Sequence, residues 1–321
     1  MKKAVFIIPF FGKLPSYFQL WMKTASKNEF IDYWIFTDDS TCQSIYSNVI
    51  ITHLSFCEFR SKVQKKFDFQ IALDSPRKLC DFKPAYGYIL EEDIVQYPYW
   101  GYCDVDVILG DLNRMIPWDK NFQKLFVHGH MTLFLNTREM NRLFMSEVKG
   151  FDTYKQVFST PINKVFDEAS DGININLLAR EKGISTYFDY RIADINPYHY
   201  LFHRTLYDYS LPYKKNRIVE IEKIGKQLFL WDNGHLFRLY MNEHDLCQEE
   251  IRYLHFQKRL LHLFPAVHEC NRFVIVPNRV IPFQKKVTTS TLHMLVKNNI
   301  IYLQYYRLKW NNLKKRIKAI V

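Results

Sequence analysis

Apolar residues in this chain gather into short runs punctuated by turn-forming residues, and the order of the runs predicts the fold. "KAVFIIPFF" reads as a strand, followed by a loop carrying Gly12 and Pro15. "SYFQLWMKTASKN" has helical spacing with Ser16 placed as its N-cap. "FIDYWIFTDD" and "NVIITHLS" predict two more strands. After a loop, a helix is expected from about Pro84, then a strand in "YWGYCDVDVIL" and a strand or strand pair in "QKLFVHGHMTLFLN". "TREMNRLFMSE" predicts a helix, and "ININLLAREKGI" another, closed by Gly183. Residues 185–240 are strand-like and rich in tyrosine, with turns at Asn196-Pro197 and Asn233-Gly234. Strands alternating with helices argue for a doubly wound α/β sheet, whose ligands bind in loops beyond the strand ends.

From Thr288 the period changes. Leu292, Leu295, Val296, Leu303, Tyr306, Trp310, Leu313, Ile317 and Ile320 share one helical face, and basic residues fill much of the rest. Charge sharpens this boundary. The last acidic residue is Glu269, and eleven of the 44 lysines and arginines lie beyond it, leaving 33 basic against 33 acidic residues before it. The chain therefore divides into a neutral domain, 1–270, and a C-terminal basic helical region, 271–321. Such a helix suits an anionic membrane surface, with Trp310 and the aliphatic stripe at the headgroup boundary; packing on the domain or in a dimer is the open alternative. Nucleic acid is not the expected partner, because the remainder is neutral and no reader motif occurs.

An apolar content of 48% excludes disorder. The six cysteines are scattered without a CxxC pair, which argues for reduced thiols and against zinc or redox motifs. "MKKAVFIIPFFGKLP" has too short an apolar run for a signal peptide and is expected to be a core strand. No stretch approaches a membrane span, so a soluble or peripheral protein is expected.

The chemistry concentrates in "YWGYCDVDVILGDL", where Asp104 and Asp106 interrupt an apolar run. Two carboxylates at a strand end can share a divalent cation, and hard oxygen ligands suit Mg²⁺ or Mn²⁺, which also grip phosphate. Two solvated turn aspartates would look the same. The segment resembles the DxD motif of nucleotide-sugar glycosyltransferases of the GT-A fold, in a bacterial group associated with capsule and cell-wall polysaccharide. "IIPFFGKLPSYFQLW", "FTDD", "KLCDFKPAYG", "HGHMTLF" and "YLHFQKR" resemble that group in the same order, over about residues 1–260.

The resemblance implies a GT-A, Rossmann-like mixed sheet with flanking helices, and a metal-dependent hexosyltransferase using a UDP-sugar, a galactose-type sugar being the default. The acceptor would be a glycan or lipid-linked glycan, and the location the cytoplasm or the inner face of the cell membrane. Pro9 and Phe10 would lie beneath the nucleotide, Asp38 or Asp39 would contact uracil or ribose, and Asp81 and Lys83 would lie beside the nucleotide or donor sugar. Asp104 and Asp106 would hold metal and diphosphate, His255 would complete the metal site, and Lys258 would reach the phosphates. Glu168 is the expected catalytic base of an inverting displacement, Asp167 the alternate and Asp171 a poorer third. His128 and His130, flanking Gly129, fit sugar contact or structural hydrogen bonding equally. A retaining transferase and a non-catalytic sugar-nucleotide or glycan-binding module on the same fold remain alternatives. A phosphotransferase would need a Gly-rich phosphate loop, which is absent.

Overall fold

The computed structural model describes the chain except residues 216, 217, 223, 225, 258, 260, 298–305, 308, 312 and 315–321. The expectations for Lys258, Leu303, Ile317 and Ile320 lie outside the described residues. The architecture is mixed α/β with mixed sheets.

The first half builds a seven-stranded sheet from β1 (Ala4–Pro9), β2 (Ile31–Thr37), β3 (Val49–His53), β4 (Tyr99–Cys103), β6 (Lys124–His128), β7 (Met131–Leu135) and β8 (Thr186–Tyr187); the short β5 (Val107–Leu109) leaves it. The spatial order is β3-β2-β1-β4-β7-β6-β8. β1 runs parallel to both β2 and β4, while β7 is antiparallel to β4 and β6. Alternation along β1 explains why both faces are covered. Val5 and Ile7 enter one core with Phe36, Trp100 and Phe134, and Ala4, Phe6 and Ile8 enter another with Trp21 and Tyr33.

Between the sheets lies a three-stranded ribbon, in which β15 (Tyr253–His255) pairs antiparallel with β5 and parallel with β9 (Ile192–Asp194). A small pair joins β10 (Thr205–Tyr207) to β11 (Ile218–Ile221). The second large sheet comprises β12 (Gln227–Asp232), β13 (His235–Asn242), β14 (Asp245–Glu250), β16 (His262–Leu263), β17 (Arg272–Val276) and β18 (Arg279–Pro282), in the order β14-β13-β12-β17-β18-β16. Its hairpin between β12 and β13 turns at Asn233-Gly234, both with positive φ, as the sequence predicts.

Several local expectations are corrected. The strand read through "YWGYCDVDVIL" is two strands, β4 and β5, with the acidic pair in the break. The helix expected from Pro84 is a series of short helical turns from Pro76 to Ile89. Helix α1 (Phe18–Ser26) starts one residue later than a Ser16 cap requires; Tyr17 takes the cap position and makes no side-chain capping bond. The expected boundary at 270/271 falls within the second sheet. There β17 pairs with β12 over four residues, because the continuous apolar run of "RFVIV" is buried on both faces while charge counting sees only its basic flanks. The helix Thr289–Lys297 then packs Leu292 and Val296 against Leu228, Leu230, Val274 and Val276. Among the described residues, no helix is long and apolar enough to cross a membrane.

Candidate metal and nucleotide site

The order of the large sheet reverses at β1: the chain steps outward through β2 and β3, then returns to place β4 on the other side. A crevice opens at such a reversal, beyond the carboxyl ends of the two strands. Here Pro9 ends β1 and Cys103 ends β4, and a cleft of about 340 Å³ lined by Phe10, Lys13, Pro15, Tyr17 and Asp104–Asp106 lies beyond them. Burial first, then Asp106 and Asp104, push the Tyr17 hydroxyl above its ordinary pKa, so it stays protonated.

The break between β4 and β5 turns both carboxylates into this cleft. Asp104 N–H donates to the His130 carbonyl at 3.0 Å, and the Asp106 carbonyl accepts from Phe256 N–H at 3.0 Å. The ribbon supplies the third group. Its register places His255 opposite Val107 on one side and Asp194 on the other. His255 Nε2 is 3.3 Å from Asp106 Oδ1, while Nδ1 is 2.7 Å from Asp194 Oδ1. One donor atom each from Asp104, Asp106 and His255 falls within 4.8 Å of the others.

Asp194 is buried and also accepts from Tyr207 Oη and from Gln257 Nε2 at 2.9 Å. Burial works against its charge, but His255 outweighs this and holds its pKa below the carboxylate range. Burial likewise works against the imidazolium, and Asp106 with Asp194 outweigh it, so His255 sits well above its ordinary value. Two carboxylates and an imidazole oriented by a buried carboxylate form a donor set suited to a divalent cation, Mn²⁺ more than Mg²⁺ given the nitrogen. Asp194 escaped sequence reading because it is an ordinary acid at the end of a three-residue strand; only the pairing of β9 with β15 gives it meaning.

A second chain of charges adjoins the first. Lys83 Nζ is 2.7 Å from Asp104 Oδ1, 3.2 Å from Asp167 Oδ2 and 2.8 Å from the Gly129 carbonyl. Burial opposes the Lys83 charge, yet Asp104 and Asp167 hold its pKa well above the ordinary value. Burial raises Asp167 to about 6 in spite of Lys83. A Cβ at Gly129 would lie 2.7 Å from Asp167 Oδ2, which is why glycine occupies that turn. Glu168 is less enclosed, with Oε1 3.3 Å from His128 Nδ1; His128 Nε2 is 2.9 Å from Tyr209 Oη. The rings of His128, His130 and His255 stack in sequence, at 4.7 and 4.2 Å between centroids. Glu168 and the candidate metal ligands thus line one continuous wall.

Other expected residues go elsewhere. Asp81 is fully buried: it pairs with Lys78 at 2.7 Å and accepts from the Lys164 and Phe166 amides at 2.9 and 3.0 Å. The resemblance puts Asp81 beside the nucleotide or donor sugar; here its carboxylate is committed to holding the segment before Asp167. Asp38 accepts from Gly12 N–H at 2.6 Å, and Asp39 from Leu14 N–H at 3.1 Å, so both brace the loop after β1. Asp171 is exposed on the rim, 3.2 Å from Lys215.

Residues 6–284 match a protein family described as a family of unknown function (DUF6625), and the chain belongs to it. No curated protein matches the chain.

Proposed function

We propose that the chain is a metal-dependent glycosyltransferase of the GT-A fold, moving a galactose-type sugar from a UDP-sugar to a glycan or lipid-linked acceptor in surface-polysaccharide synthesis. One observation carries the reading: Asp104, Asp106 and His255 converge at the crevice between β1 and β4, with Asp194 orienting the imidazole. A mixed α/β sheet with an acidic pair at a strand end also agrees with what the sequence resemblance implies.

Asp104, Asp106 and His255 would hold Mn²⁺ or Mg²⁺, which when bound supplies positive charge opposite a departing diphosphate. The protein's own groups perform the rest. Phe10, Pro15 and Tyr17 wall the cleft, just beyond the end of β1 at Pro9, and would shield the nucleotide from water. Lys83 fixes Asp104 and contributes a second positive charge at the same edge. Glu168 is the better base for inversion, because Asp167 is buried against Lys83 while Glu168 faces the wall shared with His128. Glu168 would take the acceptor hydroxyl proton as the new glycosidic bond forms and the bond to the diphosphate breaks; His128 and Tyr209 hold it in line.

Hydrolysis of a panel of UDP-sugars by the purified protein, with Mn²⁺ and with a chelator, tests this. Metal-dependent turnover of one donor is expected, falling to the metal-free background in Asp106→Asn. Metal-dependent UDP binding without turnover on any acceptor would point instead to a non-catalytic sugar-nucleotide module. Indifference to both metal and nucleotide would overturn the proposal.

A further inference from the structure

The loop that carries Glu168 continues into a trough outside the metal cleft. Cavities of about 490 and 290 Å³ adjoin there, sharing Ser170, Asp171, Gly172 and Lys215 as a common wall. The trough is built onto the candidate base. Asn176 Nδ2 donates to the carbonyls of Glu168 (2.7 Å) and Pro212 (3.2 Å), and Asn174 Nδ2 to those of Gly172 (3.3 Å) and Tyr213 (2.9 Å). A bridge between Ser170 and Lys214 closes the same seam. Two buried asparagines therefore fix both walls of the trough relative to Glu168.

Its lining is cationic. Lys164, Arg180, Lys214 and Lys215 face it, against Asp152 and Asp171. Asp171 lies 3.2 Å from Lys215 and Asp152 3.7 Å from Lys164, and Glu181 contacts Arg180 from the side. Lys214 has no carboxylate partner among the described residues. The Arg180 guanidinium stacks 3.7 Å from the Tyr213 ring centroid and donates through Nε and one terminal nitrogen to Glu181, which holds a planar charge in place at the trough wall. A volume of this size admits one or two sugar rings, and the excess positive charge selects an anion among them.

We propose that this trough binds the negatively charged end of the acceptor: a saccharide carrying a phosphate or carboxylate, held by Arg180, Lys214 and Lys215 so that its hydroxyl reaches Glu168. The inference rests on the glycosyltransferase reading for the word acceptor, while the anionic-saccharide site is measurable without it.

Calorimetric titration with galactose 6-phosphate, galacturonate and galactose, in a chelator so that the bare carboxylates of the metal cleft repel anions, reads the trough alone. One or both charged sugars should bind at least tenfold more tightly than galactose, and which of them does so identifies the anion. Arg180→Gln/Lys214→Gln/Lys215→Gln should lose at least tenfold on the charged sugar with an unchanged melting temperature. Should the triple variant misfold, exposed Lys214→Glu carries the same expectation. Equal binding of galactose, or charged-sugar binding indifferent to these changes, overturns the inference. A parallel titration with UDP and Mn²⁺ separates the two readings. Sugar-anion binding without UDP binding removes the transferase and keeps the site, and the reverse removes only the site.

Discussion

Asp194 shows how much one side chain decides at the residue scale. It lies outside the Asp104, Asp106 and His255 set, yet it fixes which imidazole nitrogen of His255 faces Asp106. Outer carboxylates of this kind change metal affinity about 10–100-fold when removed. Asp194→Asn should therefore weaken Mn²⁺ binding, followed by calorimetry, by that factor while the fold persists; unchanged affinity would dismiss the orienting role. Asp167 yields a second prediction, with the opposite electrostatics. Its carboxyl rises from an ordinary 3.8 to about 6 in the fold, so between those values the folded chain keeps a proton that the unfolded chain releases. Stability from this group is complete below about 3.8 and declines as pH rises to about 6, by about 3 kcal/mol at most. In chelator-treated protein, Asp167→Asn should flatten that part of the denaturant-midpoint profile relative to wild type. Parallel profiles for the two proteins would show that Asp167 is not the titrating group.

At the scale of elements, the site depends on how closely β4 approaches β7. A Cβ at Gly101 would fall 2.1 Å from the Thr132 carbonyl and 2.9 Å from Leu133, both on the paired strand. Gly101→Ala must force the strands apart, at a cost of about 1–3 kcal/mol or more. Because Asp104 hangs from the His130 carbonyl at the end of the same pairing, the substitution should lower Mn²⁺ affinity along with the melting temperature. A stability loss with intact affinity would uncouple the strand from the site. This coupling explains what could be read in advance. The strands β1 to β4 declare themselves locally, since each is an apolar run ending in a turn or an acid, and the acidic break after Cys103 marks the sheet's business end. Candidates lying on that one edge, Phe10, Lys83, Asp104, Asp106, Asp167 and Glu168, come together around it. The commitment of Asp81 could not be read in advance, because a buried carboxylate that accepts two amides has the same spelling as one that awaits a ligand. Asp194 and the Asn174–Asn176 bracket were illegible for a related reason: their partners lie across strand and loop pairings that no local period encodes.

Over the whole molecule, the basic surplus now has a location. The first part of the amphipathic C-terminal stretch is spent on the protein itself, because Leu292 and Val296 are buried against the second sheet. The described residues beyond Lys297 include exposed apolar side chains. Tyr306, Trp310 and Leu313 are 61, 57 and 48% exposed, among Arg307, Lys309 and Lys314. Exposed aromatic and aliphatic side chains among lysines and arginines match an anionic bilayer surface, where each cation near the headgroups adds about 1 kcal/mol. The packing of Thr289–Lys297 dictates how the idea is tested. A truncation at 288 would uncover Leu228, Leu230 and Val274 and confuse misfolding with lost docking, whereas one after Lys297 leaves that core closed. Full-length protein should sediment with phosphatidylglycerol vesicles and not with phosphatidylcholine vesicles. The chain ending at Lys297 should stay in the supernatant with both, with an unaltered melting temperature, and Trp310→Ala should fall between them. If the truncated chain still sediments with anionic vesicles, the exposed C-terminal face is not the anchor.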